Sequence, residues 1–340
     1  MWDPWPRGKS SSGISDSELC NYSTLGTLAH FRHFRHSLRV LMKAMILAAG
    51  FGTRLRPLTD KKPKALMPIV NKPLIARVIA YLESHGVHQI IANAHHHYQQ
   101  VVDYLGRGNP FGLNVEVRVE REILGTGGGI KNTEDFWDED AFVVINTDIL
   151  TDINLAQAYE YHKKSGTLVT LVLHDCGPYN QIQINGDRHV VGIDATHGPG
   201  RLAFTGIHIM NREFLSCLPE TGYSDIIDSY RKLIRSGKPI GAFLSKGHYW
   251  RDVGNLDSYR SANRELAENS IVIGTGCSLD PSAKLKPWVV VGDHCHLEAH
   301  VEIKRSILWE NVAVKKNVKI TDSIVTSHNV IENDLVGAIL

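Results

Sequence analysis

The sequence predicts two structural regimes: an α/β domain with a mostly parallel sheet, then a parallel β-helix. Two periodicities carry this. From Met42 onward, short apolar runs alternate with helical patterns, as in a sheet covered on both faces. After about residue 270, aliphatic residues recur at every sixth position, a period that suits neither a helix nor a hairpin. The composition agrees with both. The chain has 340 residues, 43% hydrophobic and 21% charged, with 37 Lys+Arg against 36 Asp+Glu. Those are ordinary globular values, with length for about two domains. A net charge of +1 gives no support to a general nucleic-acid or anionic-membrane binder. Five widely spaced cysteines without a C-x-x-C fit a reducing, cytoplasmic setting rather than a disulfide framework or thiolate zinc site. No apolar run approaches the roughly 18 residues needed to span a bilayer.

Residues 1–41 show no periodicity and are expected to form a poorly ordered extension. The basic run from Phe31 to His36 precedes an apolar one, as in a secretory signal, but Lys43 interrupts it. Ala44 to Ala49 has the apolar, glycine-terminated look of a buried parallel strand. Pro73 to His85 predicts a helix, with Leu74, Ile75, Val78, Ile79 and Leu82 on one face and Gly86 as its stop. Gln89 to Ala92 predicts a second strand and Tyr98 to Leu105 a second helix. Val115 to Val119, Ala141 to Asn146 and Thr167 to Leu173 predict further strands, with a helix from Leu155 to Lys164. In such sheets ligands sit at the carboxyl ends of the strands.

The six-residue row runs Ile273, Leu279, Leu285, Val291, Leu297, Ile303. A second row holds Ala283, Val289, Cys295, Val301 and Ile307, and after a slip in phase Val312, Val318, Ile324 and Val330 resume it. Each hexad is expected to make one side of a prism and place one aliphatic residue inside. Residues 42–268 and 269–340 are the expected domains. The coil suits a stacking or homo-oligomerisation module better than an acyl-transfer site, since about three turns are short and no acceptor site is visible.

The chemistry concentrates between Leu47 and Pro68. Leu47-Ala48-Ala49-Gly50-Phe51-Gly52-Thr53-Arg54 follows the first strand, and Gly50 and Gly52 let its backbone approach a phosphate. Arg54, Arg56, Lys61, Lys62 and Lys64 stand against one acid, Asp60, as a local anion cradle. No Walker loop is present, and Leu55 occupies the third glycine position of a dinucleotide fingerprint, so hydride transfer is disfavoured. His95-His96-His97 fits a satisfied loop better than a metal site, because adjacent histidines do not readily share one ion.

This stretch resembles the G-x-G-T-R-x(n)-P-K motif of the sugar-1-phosphate nucleotidyltransferases. Further segments follow in that family's order. Leu124-Gly125-Thr126-Gly127-Gly128-Gly129 resembles the loop contacting base and ribose, and Asn146-Thr147-Asp148 a metal-binding strand end. Phe204-Thr205-Gly206-Ile207 resembles the sugar-pocket strand, and Tyr249 to Gly254 the second metal-aspartate motif. The coil, including Ser306 to Asn311, resembles the appended β-helix of glucose-1-phosphate and mannose-1-phosphate members. The resemblance implies a Rossmann-like three-layer domain and a left-handed β-helix. It implies Mg²⁺-dependent attack of a sugar 1-phosphate on a nucleoside triphosphate, with release of pyrophosphate.

On that resemblance, Arg54 and Lys64 are the catalytic candidates, suited to neutralising charge on reactants that repel each other. Leu47, Ala48, Ala49, Gly50, Gly52, Thr53, Gly125, Thr126 and Asp148 would bind nucleotide. Tyr179, Thr205 and Gly206 would bind sugar, and Asp148 and Asp252 would hold Mg²⁺. Two departures leave base and sugar open. The family's Glu-Lys-Pro segment has no counterpart, since Ile193 to Arg201 lacks lysine, and Tyr179-Asn180 stands where Tyr-Gly is common. Those gaps resemble uridylyltransferases acting on N-acetylmuramic acid 1-phosphate, whereas the coil resembles guanylyl and adenylyl members. Mannose 1-phosphate with GTP leads. Glucose or amino-sugar phosphates with UTP or dTTP are the alternative, and a silent nucleotide-sugar-binding regulator is the rival outside catalysis.

Overall fold

The computed structural model describes residues 42–106, 112–194, 200–268 and 270–340. The expected N-terminal extension and the middle of the lysine-free stretch lie outside these. In chain order the first region comprises β1 (Met42–Leu47), α1 (Leu74–Ser84), β2 (Val87–Ala94), α2 (Tyr98–Gly106), β3 (Asn114–Val119) and α3 (Gly125–Lys131). Then follow β4 (Phe142–Asn146), β5 (Ile149–Thr151), α4 (Leu155–Ser165), β6 (Val169–His174), β7 (Asn180–Ile184), β8 (Val190–Ile193) and β9 (Arg201–Met210). It ends with α5 (Ile226–Arg235), β10 (Gly241–Ser245), β11 (Trp250–Asp252) and α6 (Leu256–Leu266).

The main sheet runs β10-β6-β9-β4-β1-β2-β3, with β7 and then β8 beside the first part of β9. β1 lies parallel to both β2 and β4, and β2 to β3. β9 runs antiparallel to β4, β6 and β7. β1 shows why the sheet is sandwiched. Met42, Ala44 and Ile46 pack into one helix layer and Met45 into the other, all fully or almost fully buried. A pattern apolar on both faces can be buried only between two layers. The small antiparallel pair β5–β11 sits beside the carboxyl end of β4 and places Asp252 opposite Ile149.

One expected element changes character. Gly125 to Gly129, part of the segment expected as a loop, is the N-terminal part of α3, with Leu124 as its N-cap. A Cβ at Gly128 would stand 2.5 Å from the Gly222 carbonyl oxygen, and one at Gly127 2.6 Å from Ser224 Oγ. Absent side chains therefore let α3 lie directly on the 222–226 segment, which outweighs the low helix propensity of glycine. Asn154 caps α4, accepting from Gln157 N at 3.0 Å.

Beyond residue 270 parallel strands stack into coils. Ser278 pairs with His296 and Leu279 with Leu297, eighteen residues on, which is three hexads per turn. The next turn is one residue shorter. Lys286 pairs with Lys304, but Val289 pairs with Ser306, so Arg305 alone spans what Pro287 and Trp288 span one turn earlier. This corrects the six-residue rows. Ser306 and Ser323, both buried, take the places counted for Ile307 and Ile324. The serine hydroxyls are satisfied by donating to the Lys304 and Thr321 carbonyls. Ile307 and Ile324 instead pack outside the coil against α6 and the segment around Leu55, Met67 and Ile69. Ile273 and Val330, also counted as inward, are exposed; near the C-terminal end Ile331 is buried instead.

Candidate active site

β1 and β4 end side by side, with Thr147 N donating to Leu47 O at 3.1 Å. The glycine loop leaves β1 at this edge. Gly52 has φ +66°, and a Cβ there would stand 2.9 Å from Thr59 Cγ2 and 3.3 Å from Lys64 Cβ, so this tight turn requires glycine. Around Gly50, apart from its chain neighbours, no heavy atom of the described residues comes within 4 Å of a Cβ position, which keeps the cleft mouth open. The cleft has a volume of about 370 Å³. Its walls include Leu47, Ala48, Ala49, Gly50, Gly52, Thr53, Arg54, Lys64, Gly125, Thr126 and Asp148.

The five-cation cradle separates into different roles. Arg56 pairs with Asp60 at 3.2 Å, and Lys62 turns away to Glu310 on the coil at 2.8 Å. Arg54 and Lys64 face the cleft. Lys64 Nζ contacts Asp148, with both side chains largely buried. Asp252 lies against the same cluster, and burial, followed by the Asp148 charge, pushes its carboxyl above the usual carboxylate range. Its Oδ1 is buried without a hydrogen-bond partner among the described residues. Two adjacent carboxylates, one with an orphaned oxygen, form a donor set suited to a hard divalent cation that completes its shell with phosphate and water oxygens.

Three expected sugar contacts lie outside this cleft. Thr205 is fully buried and donates its hydroxyl to Val172 O at 2.8 Å, so its side chain is committed to the sheet. Gly206, at φ +78°, makes room for the Asn146 amide, 2.8 Å from its Cβ position. Tyr179 stands edge-on to Trp250, 5.4 Å between ring centroids, on the β11 side of Asp252. Trp250 in turn donates to Thr205 O at 3.0 Å.

Two positioning residues escaped the sequence-level search. Buried Asn93 accepts from Ala48 N at 2.7 Å and donates to Glu120 at 2.7 Å. Glu120, 3% exposed, also accepts from Leu124 N at 3.0 Å. One network thus sets the spacing between the glycine loop and the start of α3. An isolated Asn at a strand end carries no motif, so only the fold reveals it. The three histidines bind carbonyls: His95 that of Glu120, His96 that of Thr59 and His97 that of Asp60, at 2.9, 3.1 and 3.0 Å. His96 and His97 tie the loop after β2 to the segment that follows the glycine loop, and His95 ties it to the end of β3.

A strand-end glycine loop, two cations and paired carboxylates meet at the edge of a parallel sheet, an arrangement able to neutralise phosphate groups. Residues 43–269 match the family described as nucleotidyl transferase, and residues 267–336 match the GMPPB C-terminal domain. The chain belongs to the nucleotidyl transferase family. A mannose-1-phosphate guanyltransferase from Aspergillus fumigatus is 31% identical over 84% of this chain and 86% of its own. A UTP–glucose-1-phosphate uridylyltransferase from Synechocystis is 29% identical over 82% of this chain and 74% of its own. HddC from Yersinia pseudotuberculosis, solved with GMP-PN, matches at TM-score 0.58 and 27% identity, covering 66% of this chain and 99% of that one.

Proposed function

We propose that this protein transfers a guanylyl group from GTP to mannose 1-phosphate, forming the nucleotide sugar and pyrophosphate. The carrying observation is the convergence of Arg54, Lys64, Asp148 and Asp252 on one edge of the glycine-loop cleft. The guanyltransferase names among its relatives support the choice of base and sugar. The uridylyltransferase relative sustains one second reading, UTP with glucose 1-phosphate.

The loop from Leu47 to Thr53 presents its backbone to the triphosphate, while Gly125 and Thr126 border the nucleoside end. Arg54 screens the β- and γ-phosphates and the departing pyrophosphate. Lys64 neutralises the α-phosphoryl group and the incoming sugar phosphate, bringing two anions to attack distance. Asp148 and Asp252 are the residues that would hold Mg²⁺, which supplies Lewis-acid charge stabilisation when bound. Tyr179 and the backbone of Thr205 and Gly206 bound the sugar side. Residues 42–268 carry the chemistry and 269–340 form the left-handed coil, through which copies associate in the cytoplasm. A monomer by light scattering at micromolar concentration overturns that last association.

Pyrophosphate release over a grid of nucleoside triphosphates and sugar 1-phosphates tests the substrate pair. GTP with mannose 1-phosphate is expected to lead; a lead by UTP with glucose 1-phosphate replaces it with the second reading. No turnover, with a nucleotide sugar still raising the melting temperature, makes the protein a regulator. Mg²⁺ should raise the melting temperature of wild type but not of the Asp148→Asn/Asp252→Asn double variant. An equal rise in both removes the metal assignment.

A further inference from the structure

The coil touches the catalytic loop at a definite place. Lys62 sits two residues before Lys64, and its Nζ is held 2.8 Å from Glu310 Oε1 while lying 5.2 Å above the Trp309 ring. Trp309 Nε1 donates to Tyr259 OH at 2.8 Å, and Tyr259 OH donates to Pro68 O at 2.7 Å, four residues after Lys64. Beyond Pro68, Val70 N donates to Asn263 on α6 at 2.9 Å, and Asn71 Nδ2 donates to Val291 O on the coil at 2.7 Å. Met67, Ile69, Tyr259, Ile307, Trp309 and Ile324 share one buried apolar cluster behind these bonds. Both flanks of the Lys64 turn are therefore anchored, one directly to the coil and the other through α6 as well.

From this arrangement we infer that Trp309 and Glu310 are positioning residues for nucleotidyl transfer, fixing Lys64 by clamping Lys62 from the coil. The inference rests on the catalytic assignment of Lys64. The physical reason is the length of the lever. A lysine side chain has four rotatable bonds and little orientation of its own. Its ammonium reaches one place reproducibly only when the backbone on each side is held. The Lys62–Glu310 pair is partly shielded, with side-chain exposures of 23% and 35%, and the aromatic ring beneath the ammonium adds a second contact. Small misplacement of a charge that acts on the transition state costs rate rather than ground-state binding.

The test is a double-mutant cycle on Lys62→Gln and Glu310→Gln, read as kcat and KM for both substrates, with Lys64→Ala alongside. Each single variant is expected to lose about tenfold in kcat, with KM changed less than about twofold. The double variant should lose no more than either single. The exchanged pair Lys62→Glu/Glu310→Lys should recover most of the rate, and it serves as the folded control if a single variant melts early. Wild-type kcat in Glu310→Gln overturns the inference, and so do independent, multiplying losses in the double variant. If Lys64→Ala itself retains wild-type kcat, the catalytic assignment has failed instead.

Discussion

The two regions use parallel strands in opposite ways. In the α/β region each strand is followed by a different loop, and the strand ends carry charge, glycine and buried amides that meet at one edge. In the coil, successive strands repeat one another, and nearly every inward position is aliphatic or a self-satisfied serine. The contrast teaches where single residues have identities that matter. At the strand ends the chemical type of a side chain decides its role. In the coil, the position in the count decides whether a side chain is core, surface or joint.

Coil core and active site should therefore respond to substitution in different observables. Leu297→Ala, at a fully buried coil position, should cost about 3 kcal/mol of stability by denaturant unfolding while leaving kcat at 25 °C near wild type. A large drop in kcat with unchanged stability breaks the division. Lys64→Ala should do the reverse, losing about 100-fold in kcat, about 2.7 kcal/mol, with little change in melting temperature. A loss under about threefold places Lys64 outside the chemistry.

His208 sharpens the comparison from within the α/β core. It is buried between β9 and α5 against Tyr230, and burial pushes its imidazole down to about 3. The unfolded chain takes up that proton near pH 6.5, whereas the folded one resists it. Its contribution is therefore present above about pH 6.5 and is lost as pH falls toward 3, by about 1.4 kcal/mol per unit. His208→Gln should flatten that part of the stability–pH curve, and an unchanged slope assigns it to other groups. The smallest effect belongs to Val330→Thr, at a position 57% exposed, with a stability change within about 0.5 kcal/mol. A cost above 1 kcal/mol shows that the coil end is covered in solution.

Much of this was legible in the linear chain, for identifiable reasons. β1, α1 and β4 announce themselves because elements so thoroughly buried have little freedom in their apolar pattern. Gly52, Arg54 and Lys64 stand in one short segment with a compact motif, and Asp148 follows the apolar strand β4 by two residues. α5 and α6 went unmarked, since their half-polar patterns lie between short irregular segments. Asn93 and Glu120 join each other and two distant backbone amides, Ala48 N and Leu124 N, and local spacing carries no trace of that. Among the expected sugar contacts, Thr205 lies on β9, which turns its hydroxyl into the sheet, and residue type alone does not reveal that direction.

The shortened turn at Arg305 has a consequence for how such a chain can change. Two residues make this corner one turn earlier and Arg305 alone makes it here, yet Val289 and Ser306 take the same inward place, so the corner itself absorbs an added residue, whereas one inserted between Ser306 and Trp309 would turn Ile307 away from α6. Trp309 and Glu310 would rotate out of alignment with Tyr259 and Lys62 in the same movement. The segment from Ser306 to Glu310 thus works as a keyway. Side chains along the coil are free to drift while the joint persists, but the length of this one stretch is not, and a single-codon insertion there would uncouple two otherwise intact halves.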